Sequence, residues 1–168
     1  MWGGRCVRGL MAKPRYSASP MQLREIMTSG VITADEADQV LKVARLMRDR
    51  GVGSVVICDP EGAPAAMITD RDVAVRVAAD DRSLGEPAGR HASRPLIVGQ
   101  PEMDLEEAAA RMVQHRVRRL PVVDGGALVG IVTLDDIAVR TGNLEVAQRM
   151  TAEVIEGALP DFFFHERG

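Results

Sequence analysis

Two copies of one short pattern constrain this chain more than any other feature of its sequence. Residues 66–76 read Ala-Met-Ile-Thr-Asp-Arg-Asp-Val-Ala-Val-Arg, and residues 130–140 read Gly-Ile-Val-Thr-Leu-Asp-Asp-Ile-Ala-Val-Arg. In each copy an apolar run ends at a threonine, an aspartate follows three residues later, and an apolar pattern with helical spacing begins. The pattern predicts a strand that passes into a helix at a Thr-x-x-Asp junction.

The residues around the first junction predict a small α/β unit. Apolar spacing, turn chemistry and β-branched runs follow one another in a regular order. The predicted elements are a helical turn at 23–27, an extended segment at 31–33, a helix from Val40 that ends at Gly51, strands at 54–58 and 65–68 around a turn at 59–62, and a helix after Thr69.

The same order returns around the second junction, which predicts two tandem repeats. Val117 lies 65 residues after Val52, and Thr133 lies 64 residues after Thr69, so one residue is lost in the second hairpin. The predicted elements are an extended segment at 96–98, a helix over 105–113 that starts at an acidic capping box of Asp104 and Glu107, strands at 119–123 and 128–132 around Asp124-Gly125-Gly126, and a helix after Thr133.

These elements divide the chain into four segments. The tail before Met21 is basic and lacks periodicity, with a transit function or a translation start at Met11 or Met21 as alternatives.

A helix is predicted over 144–159, and Phe162–Phe164 are expected to fold back on the repeats. The alternative is that the three phenylalanines form an exposed patch that binds a protein partner. The segments are a flexible tail at 1–20, a first repeat at 21–80, a connector and second repeat at 81–141, and a C-terminal helix with an aromatic tail at 142–168.

Composition narrows the class of protein. The chain has 168 residues, 46% hydrophobic and 27% charged, with a formal net charge of -3, so we expect a globular protein without membrane insertion and without general affinity for nucleic acid. Cys6 and Cys58 are far apart, which favours a reducing cytoplasm over a disulfide framework. The three histidines have no metal-ligand spacing and no phosphate-binding glycine loop occurs, so we predict no metal site and no enzyme.

The Thr-x-x-Asp junctions have two compatible interpretations. As structural features, the threonine caps a helix and the aspartate favours the positive end of its dipole. As a binding site, a carboxylate accepts both hydroxyls of a ribose, and free N–H groups at a helix start bind anions.

A basic cluster distinguishes the second repeat from the first. The four basic residues between 115 and 119 lead into a strand where the first repeat has the small pair Gly53 and Ser54. The arginines among them suit phosphates beside a ribose held by Asp136, and they equally suit a solvated helix end that complements its own dipole.

The segments quoted above resemble tandem CBS domains. The resemblance covers about residues 21–141, in both repeats and in the correct order, with motifs at 26–33, 51–59, 68–72, 117–124 and 130–137. It implies an α/β (α+β) fold in which two βαββα repeats form a pseudo-twofold pair, the Bateman module, with two clefts between the repeats. It also implies that these clefts bind an adenosine nucleotide, AMP, ADP or ATP, as a regulatory ligand. We expect such a stand-alone module to be a homodimer.

The resemblance assigns roles to individual residues. It implies ribose contacts by Thr133 and Asp136 with phosphate contacts by Arg118 and Arg119, a second ribose site at Thr69 and Asp72 assisted by Arg71, and base contacts near the first strand of each repeat, at Thr33 and Ile97. The Asp136 site is expected to be the tighter one. The sequence departs from the family pattern at Ala66, where the second repeat has Gly130, and at residues 91–93, where Met-Thr is usual.

Overall fold

The computed structural model describes residues 21–140 and Ala152. The fold contains two sheets flanked by short helices, so the mixed helix and strand class expected from the sequence is confirmed. In chain order the elements are α1 (Leu23–Ile26), β1 (Thr33–Asp35), α2 (Val40–Arg50), β2 (Ser54–Cys58), β3 (Pro64–Thr69), α3 (Asp70–Asp72) continued by a π-helical segment (Val73–Ala78), a 3-10 turn (Ala88–Arg90), α4 (Leu105–His115), β4 (Arg119–Asp124), β5 (Ala127–Thr133) and α5 (Leu134–Arg140).

Each sheet contains an antiparallel hairpin, but the first sheet has three strands and the second has two. In the first sheet β1 runs parallel to β2, and β2 pairs with β3 in antiparallel fashion. In the second sheet β4 pairs with β5, and Asp124 and Ala127 face each other across a two-residue turn. Both turn residues, Gly125 and Gly126, have positive φ, as a type I′ hairpin requires.

Three predictions about local structure need correction. The extended segment predicted at 96–98 does not become a strand, and the second sheet has in its place a single parallel bridge between Gly99 and Val122. The capping box at α4 is only half formed, because Asp104 accepts the Glu107 N–H at 2.7 Å while Glu107 pairs with Arg111. The helix after the first junction is α-helical for one turn and then π-helical.

The two repeats exchange their leading segments. Thr28, which precedes β1, forms an antiparallel bridge with Ile131 in β5 of the second repeat. Ser93, at the corresponding place near the start of the second repeat, bridges to Met67 in β3 of the first repeat. The two bridges are related by the repeat, so each sheet is extended by the segment that leads into the other half.

The same exchange builds two separate hydrophobic cores. The first core is closed by Ala88 from the connector, and the second core is closed by Leu23 and Ile26 from α1. The first core contains Ala34, Val40, Val43, Met47, Val55, Ile57, Ala66, Ile68, Val77 and Ala88, and the second contains Leu23, Ile26, Met103, Leu105, Ala108, Ala109, Met112, Leu120, Val122, Val132, Leu134 and Ile137.

Strand alternation fixes which side chains face away from the cores. Val55 and Ile57 belong to the first core, so their neighbours along β2 point to the opposite face. By register, Thr33 and Thr69 lie on that opposite face, and so does the corresponding pair Arg119 and Thr133 in the second sheet. The candidate binding residues that belong to strands therefore lie on the faces of the sheets that do not form the cores.

The predicted helix at 144–159 and the three phenylalanines fall outside the residues that the structure describes. Among the helices it does describe, none has the length and apolar character to cross a membrane.

Candidate functional site

The first junction is a closed hydrogen-bonded unit between Thr69 and Asp72. The Asp72 Oδ2 atom accepts the Thr69 backbone N–H at 2.9 Å and the Thr69 hydroxyl at 2.7 Å. The Thr69 Oγ1 atom in turn accepts the Asp72 N–H at 3.2 Å. Threonine and aspartate thus cap the helix reciprocally, with a half-buried carboxylate fixed at one oxygen.

The second junction has the same geometry. Asp136 Oδ2 accepts the Thr133 N–H at 2.8 Å and the Thr133 hydroxyl at 2.7 Å, while Thr133 Oγ1 accepts the Asp136 N–H at 3.2 Å. Two junctions 64 residues apart therefore present one arrangement of donor, hydroxyl and carboxylate. The structural interpretation offered by the sequence is confirmed at both places. The hydrogen bonds of the cap use Oδ2 of each carboxylate, while Oδ1 of Asp72 lies 3.4 Å from Arg76 Nε.

The expectation of free N–H groups at the helix start is wrong for the first junction. The N–H of Asp70 donates to the carbonyl of Gly53 at 3.2 Å, that of Arg71 donates to the Asp70 carboxylate at 2.8 Å, and that of Asp72 donates to Thr69. All three backbone N–H groups of this first turn are therefore already hydrogen-bonded within the protein. Anion binding at this place must therefore come from cationic side chains.

An arginine connects the Asp72 carboxylate to the connector. Arg76 Nε lies 3.4 Å from Asp72 Oδ1, and its Nη1 donates to the carbonyl oxygen of His91 at 2.9 Å. His91 is itself buried, and its Nε2 lies 3.1 Å from Glu86 Oε2. Arg76 was not among the predicted site residues, although its recurrence as Arg140 in the second copy of the pattern was a signal in the sequence.

The register places the arginine pair where the repeat predicts it. Arg119 pairs with Thr133 just as Ser54 pairs with Thr69. The carbonyl of Arg118 accepts the Leu134 N–H at 3.1 Å, as Gly53 accepts that of Asp70. Arg118 and Arg119 thus occupy the positions of Gly53 and Ser54.

The guanidinium of Arg119 lies close to residues of the first repeat. It crosses to the first repeat, where its Nη2 lies 3.2 Å from the position that a Cβ on Gly53 would take. The Oδ2 atom of Asp70 lies 3.2 Å from the same position. Arg119 therefore lies between the two junctions, on the first repeat's side of the space between the sheets. Sequence reasoning missed Asp70, whose counterpart Leu134 is apolar.

The remaining predicted residues occupy varied environments. Thr33 and Arg71 are exposed, Thr33 in β1 opposite Val56 and Arg71 in the first turn after Thr69. The partly buried Ile97 side chain packs against the second core. Thr33 shares a sheet face with Thr69, whereas Ile97 and Arg71 are not brought into contact with the capped carboxylates by any hydrogen bond between described residues.

A cavity of about 710 Å³ lies at the other end of the first sheet. It forms where β1 ends, beside the β2–β3 turn and the connector, and none of the predicted site residues lines it. Its lining residues are Asp35, Glu36, Ala37, Asp59, Pro60, Gly62, Pro87, Gly89 and Arg90. Within the described part of the chain, no three His, Cys, Asp or Glu side chains are placed to hold a metal ion.

The fold and the paired junctions define a protein of two tandem α+β repeats related by a pseudo-twofold. The chain belongs to the CBS domain family, whose sequence profile matches residues 23–79 and 88–140. It is 38% identical to the CBS domain-containing protein YhcV of Bacillus subtilis over 125 residues, which cover 74% of this chain and 89% of YhcV. Some other relatives are longer, and this chain spans 59%, 37% and 43% of three of them.

Solved structures share the fold. A CBS domain protein from Pyrobaculum aerophilum, solved in complex with AMP, aligns with a TM-score of 0.69 at 24% identity, over 77% of this chain and 99% of that one. The CBS domain pair of protein MJ0100, solved with 5′-methylthioadenosine and S-adenosyl-L-methionine, aligns with a TM-score of 0.66 at 23% identity, over 74% of this chain and 98% of that one. At these identities the comparison confirms the fold of the pair.

Proposed function

We propose that this protein is a regulatory module that binds an adenosine-containing metabolite, AMP, ADP or ATP, in the clefts between its CBS repeats. One observation carries the proposal: two Thr-x-x-Asp junctions hold their carboxylates in identical hydrogen-bonded geometry, and an arginine of one repeat reaches into the other. The adenosine ligands of the two structural relatives named above support the class of ligand.

The chemistry of the junctions suits a ribose. In each carboxylate, Oδ2 already accepts two hydrogen bonds from its threonine, so its direction is fixed before a ligand arrives. The vicinal hydroxyls of a ribose would donate to Oδ1 of Asp136, or to Oδ1 of Asp72 beside its ion pair with Arg76. Such preorganisation reduces the entropy lost on binding.

The cationic side chains suit the phosphates. Arg118 and Arg119 stand at the start of β4, and Arg71 is exposed beside the first junction. An arginine guanidinium matches a phosphate with two parallel donors. The backbone near Thr33 and Ile97 would contact the base.

Binding between repeats gives the module a way to transmit a signal. A ligand that contacts both halves shifts their relative orientation only when it binds one arrangement more tightly than the other. The proposal includes a homodimer in the cytoplasm that acts by binding rather than by catalysis.

Calorimetric titration with adenosine, AMP, ADP and ATP tests the proposal. We expect binding at or below millimolar concentration, weakened at least tenfold by Asp136→Asn, and unchanged by the matched Asp135→Asn, which removes an equal charge from an exposed neighbour. Absence of binding by every adenosine compound, or equal binding in Asp136→Asn, contradicts it. Mass spectrometry of small molecules released from the purified protein gives an independent answer.

A further inference from the structure

Two opposite charges from different repeats meet at Gly53. The Asp70 carboxylate and the Arg119 guanidinium each lie 3.2 Å from the point where a side chain on Gly53 would begin. The two side chains do not form an ion pair within 4.0 Å, and both closely approach the position that a Cβ on Gly53 would take. Any residue larger than glycine would force one of them to shift.

The second junction lacks this feature. The residue that corresponds to Asp70 is Leu134, which is buried in the second core, and the residue that corresponds to Gly53 is Arg118. The charge balance around the two capped carboxylates therefore differs, although their hydrogen bonds are the same. Between the threonine and the capped aspartate, the first junction has Asp70 and Arg71 where the second has Leu134 and Asp135.

We propose that Asp70 is a specificity-determining residue that sets how strongly the module discriminates between ligands by their number of phosphates. This inference rests on the proposed function. A phosphate that approaches Arg119 must also approach the Asp70 carboxylate, so the attraction by the arginine is offset by repulsion from the aspartate. A ligand with one or no phosphate meets little of this repulsion.

The sign of the effect follows from Coulomb's law. Replacement of Asp70 by asparagine removes the repelling charge, leaves a side chain of the same size, and frees the full charge of Arg119 for the ligand. Because the site is partly open to water, a single charge at this range changes affinity by about threefold to tenfold per additional phosphate group that reaches it. A neutral nucleoside should be almost unaffected.

The test is a matrix of dissociation constants from calorimetry at fixed ionic strength. The ligands are adenosine, AMP, ADP and ATP, and the proteins are the full chain and its Asp70→Asn, Asp70→Asn/Arg119→Gln and Glu61→Gln variants. Glu61 is exposed in the β2–β3 turn, so Glu61→Gln is a control for the loss of one negative charge. We expect Asp70→Asn to tighten ATP at least fivefold relative to adenosine, the double variant to lose that gain, and Glu61→Gln to leave the ratio unchanged.

The outcomes separate this inference from the function on which it rests. If the unaltered protein binds adenosine compounds and Asp70→Asn changes adenosine and ATP equally or not at all, Asp70 has no role in specificity while the binding function stands. If a gain for ATP persists without Arg119, the repulsion does not act through this pair and the inference is overturned. If no adenosine compound binds the unaltered protein, both proposals fail.

Discussion

Met27 fills the space above Gly130. A Cβ built on Gly130 would lie 2.6 Å from the Met27 sulfur and 2.9 Å from its Cγ, closer than carbon and sulfur atoms approach in a packed protein. The corresponding pair in the other half is Ala92 and Ala66, where a smaller leading residue faces a larger strand residue. The exchange of leading segments thus explains why the first repeat has alanine where the second has glycine.

Gly130→Ala is expected to lower the free energy of unfolding by about 1–3 kcal/mol, because the added methyl group displaces the Met27 side chain. Urea denaturation followed by circular dichroism measures the loss. Met27→Ala removes the obstacle, so the double variant should be more stable than the sum of the two single effects predicts. Strict additivity would show that the two side chains do not compete for this space.

Thr133→Val is expected to lower the free energy of unfolding by about 1 kcal/mol even without any ligand, because the valine removes the oxygen that caps Asp136 N–H. Thr133→Ser keeps the hydroxyl and serves as the control, with a loss below about half of that value. Thermal unfolding of the ligand-free protein measures both. An equal loss in the two variants would assign the effect to the methyl group instead of the cap.

Arg116→Gly is expected to stabilise the protein by about 0.5–1 kcal/mol. Arg116 ends α4 in the left-handed region at φ 54°, whereas its counterpart Gly51 ends α2 at φ 63° with a residue that tolerates this conformation. Arg50→Gly, inside the last turn of α2, should instead destabilise by about 1 kcal/mol. A lower midpoint in urea for Arg116→Gly would mean that its side chain contributes more than the backbone strain costs.

Cys58 is expected to react slowly with iodoacetamide near pH 8. Burial raises the pKa of the Cys58 thiol above its ordinary value, and the carboxylates of Asp35 and Asp59 raise it further. The thiolate, which is the reactive form, is therefore scarcer at pH 8 than in an exposed cysteine, and the midpoint of the pH–rate profile moves up.

The role of the carboxylates in this shift is tested in a Cys6→Ser background, where only Cys58 reacts. Asp35→Asn should increase the rate at pH 8 about twofold to fivefold, because it removes one nearby negative charge. Asp49→Asn, on the exposed end of α2, is the control and should change nothing. A rate unaffected by Asp35→Asn would assign the raised pKa to burial alone.

Leu23→Ala is expected to lower the free energy of unfolding by about 2–5 kcal/mol, since Leu23 is fully buried in the second core. The neighbouring Arg24→Ala, at a surface ion pair with Glu102, should cost less than about 1 kcal/mol. Urea denaturation distinguishes them. Similar small losses in both variants would contradict the assignment of α1 to the second core.

Periodicity predicted most of the fold because the elements are local. Helix α2 and the two hairpins follow directly from apolar spacing and turn residues, and Gly51 ends its helix as expected. The extended segment at 96–98 forms no strand because three apolar residues are equally suited to a strand and to a half-buried loop that packs on a core, and here Ile97 packs on the second core.

The sequence alone predicted only part of the candidate site. The capped carboxylates follow from a pattern within four residues, so Asp72 and Asp136 could be placed in advance. The position of the Arg119 guanidinium beside Asp70 depends on how the two repeats face each other, which no spacing within one repeat encodes. The exchange of leading segments was hidden for the same reason, since residues 23–28 begin the first repeat in the chain and pack against the second.

Because of that exchange, each hydrophobic core depends on residues from the other half of the chain or from the connector. A break between residues 81 and 87 would separate Ala88 from the first core and would separate Leu23 and Ile26 from the second core. The two repeats of the sequence are therefore interdependent, since neither repeat alone contains a complete hydrophobic core. Because each core is completed by residues from outside its own repeat, we expect the two repeats to unfold together and not one at a time.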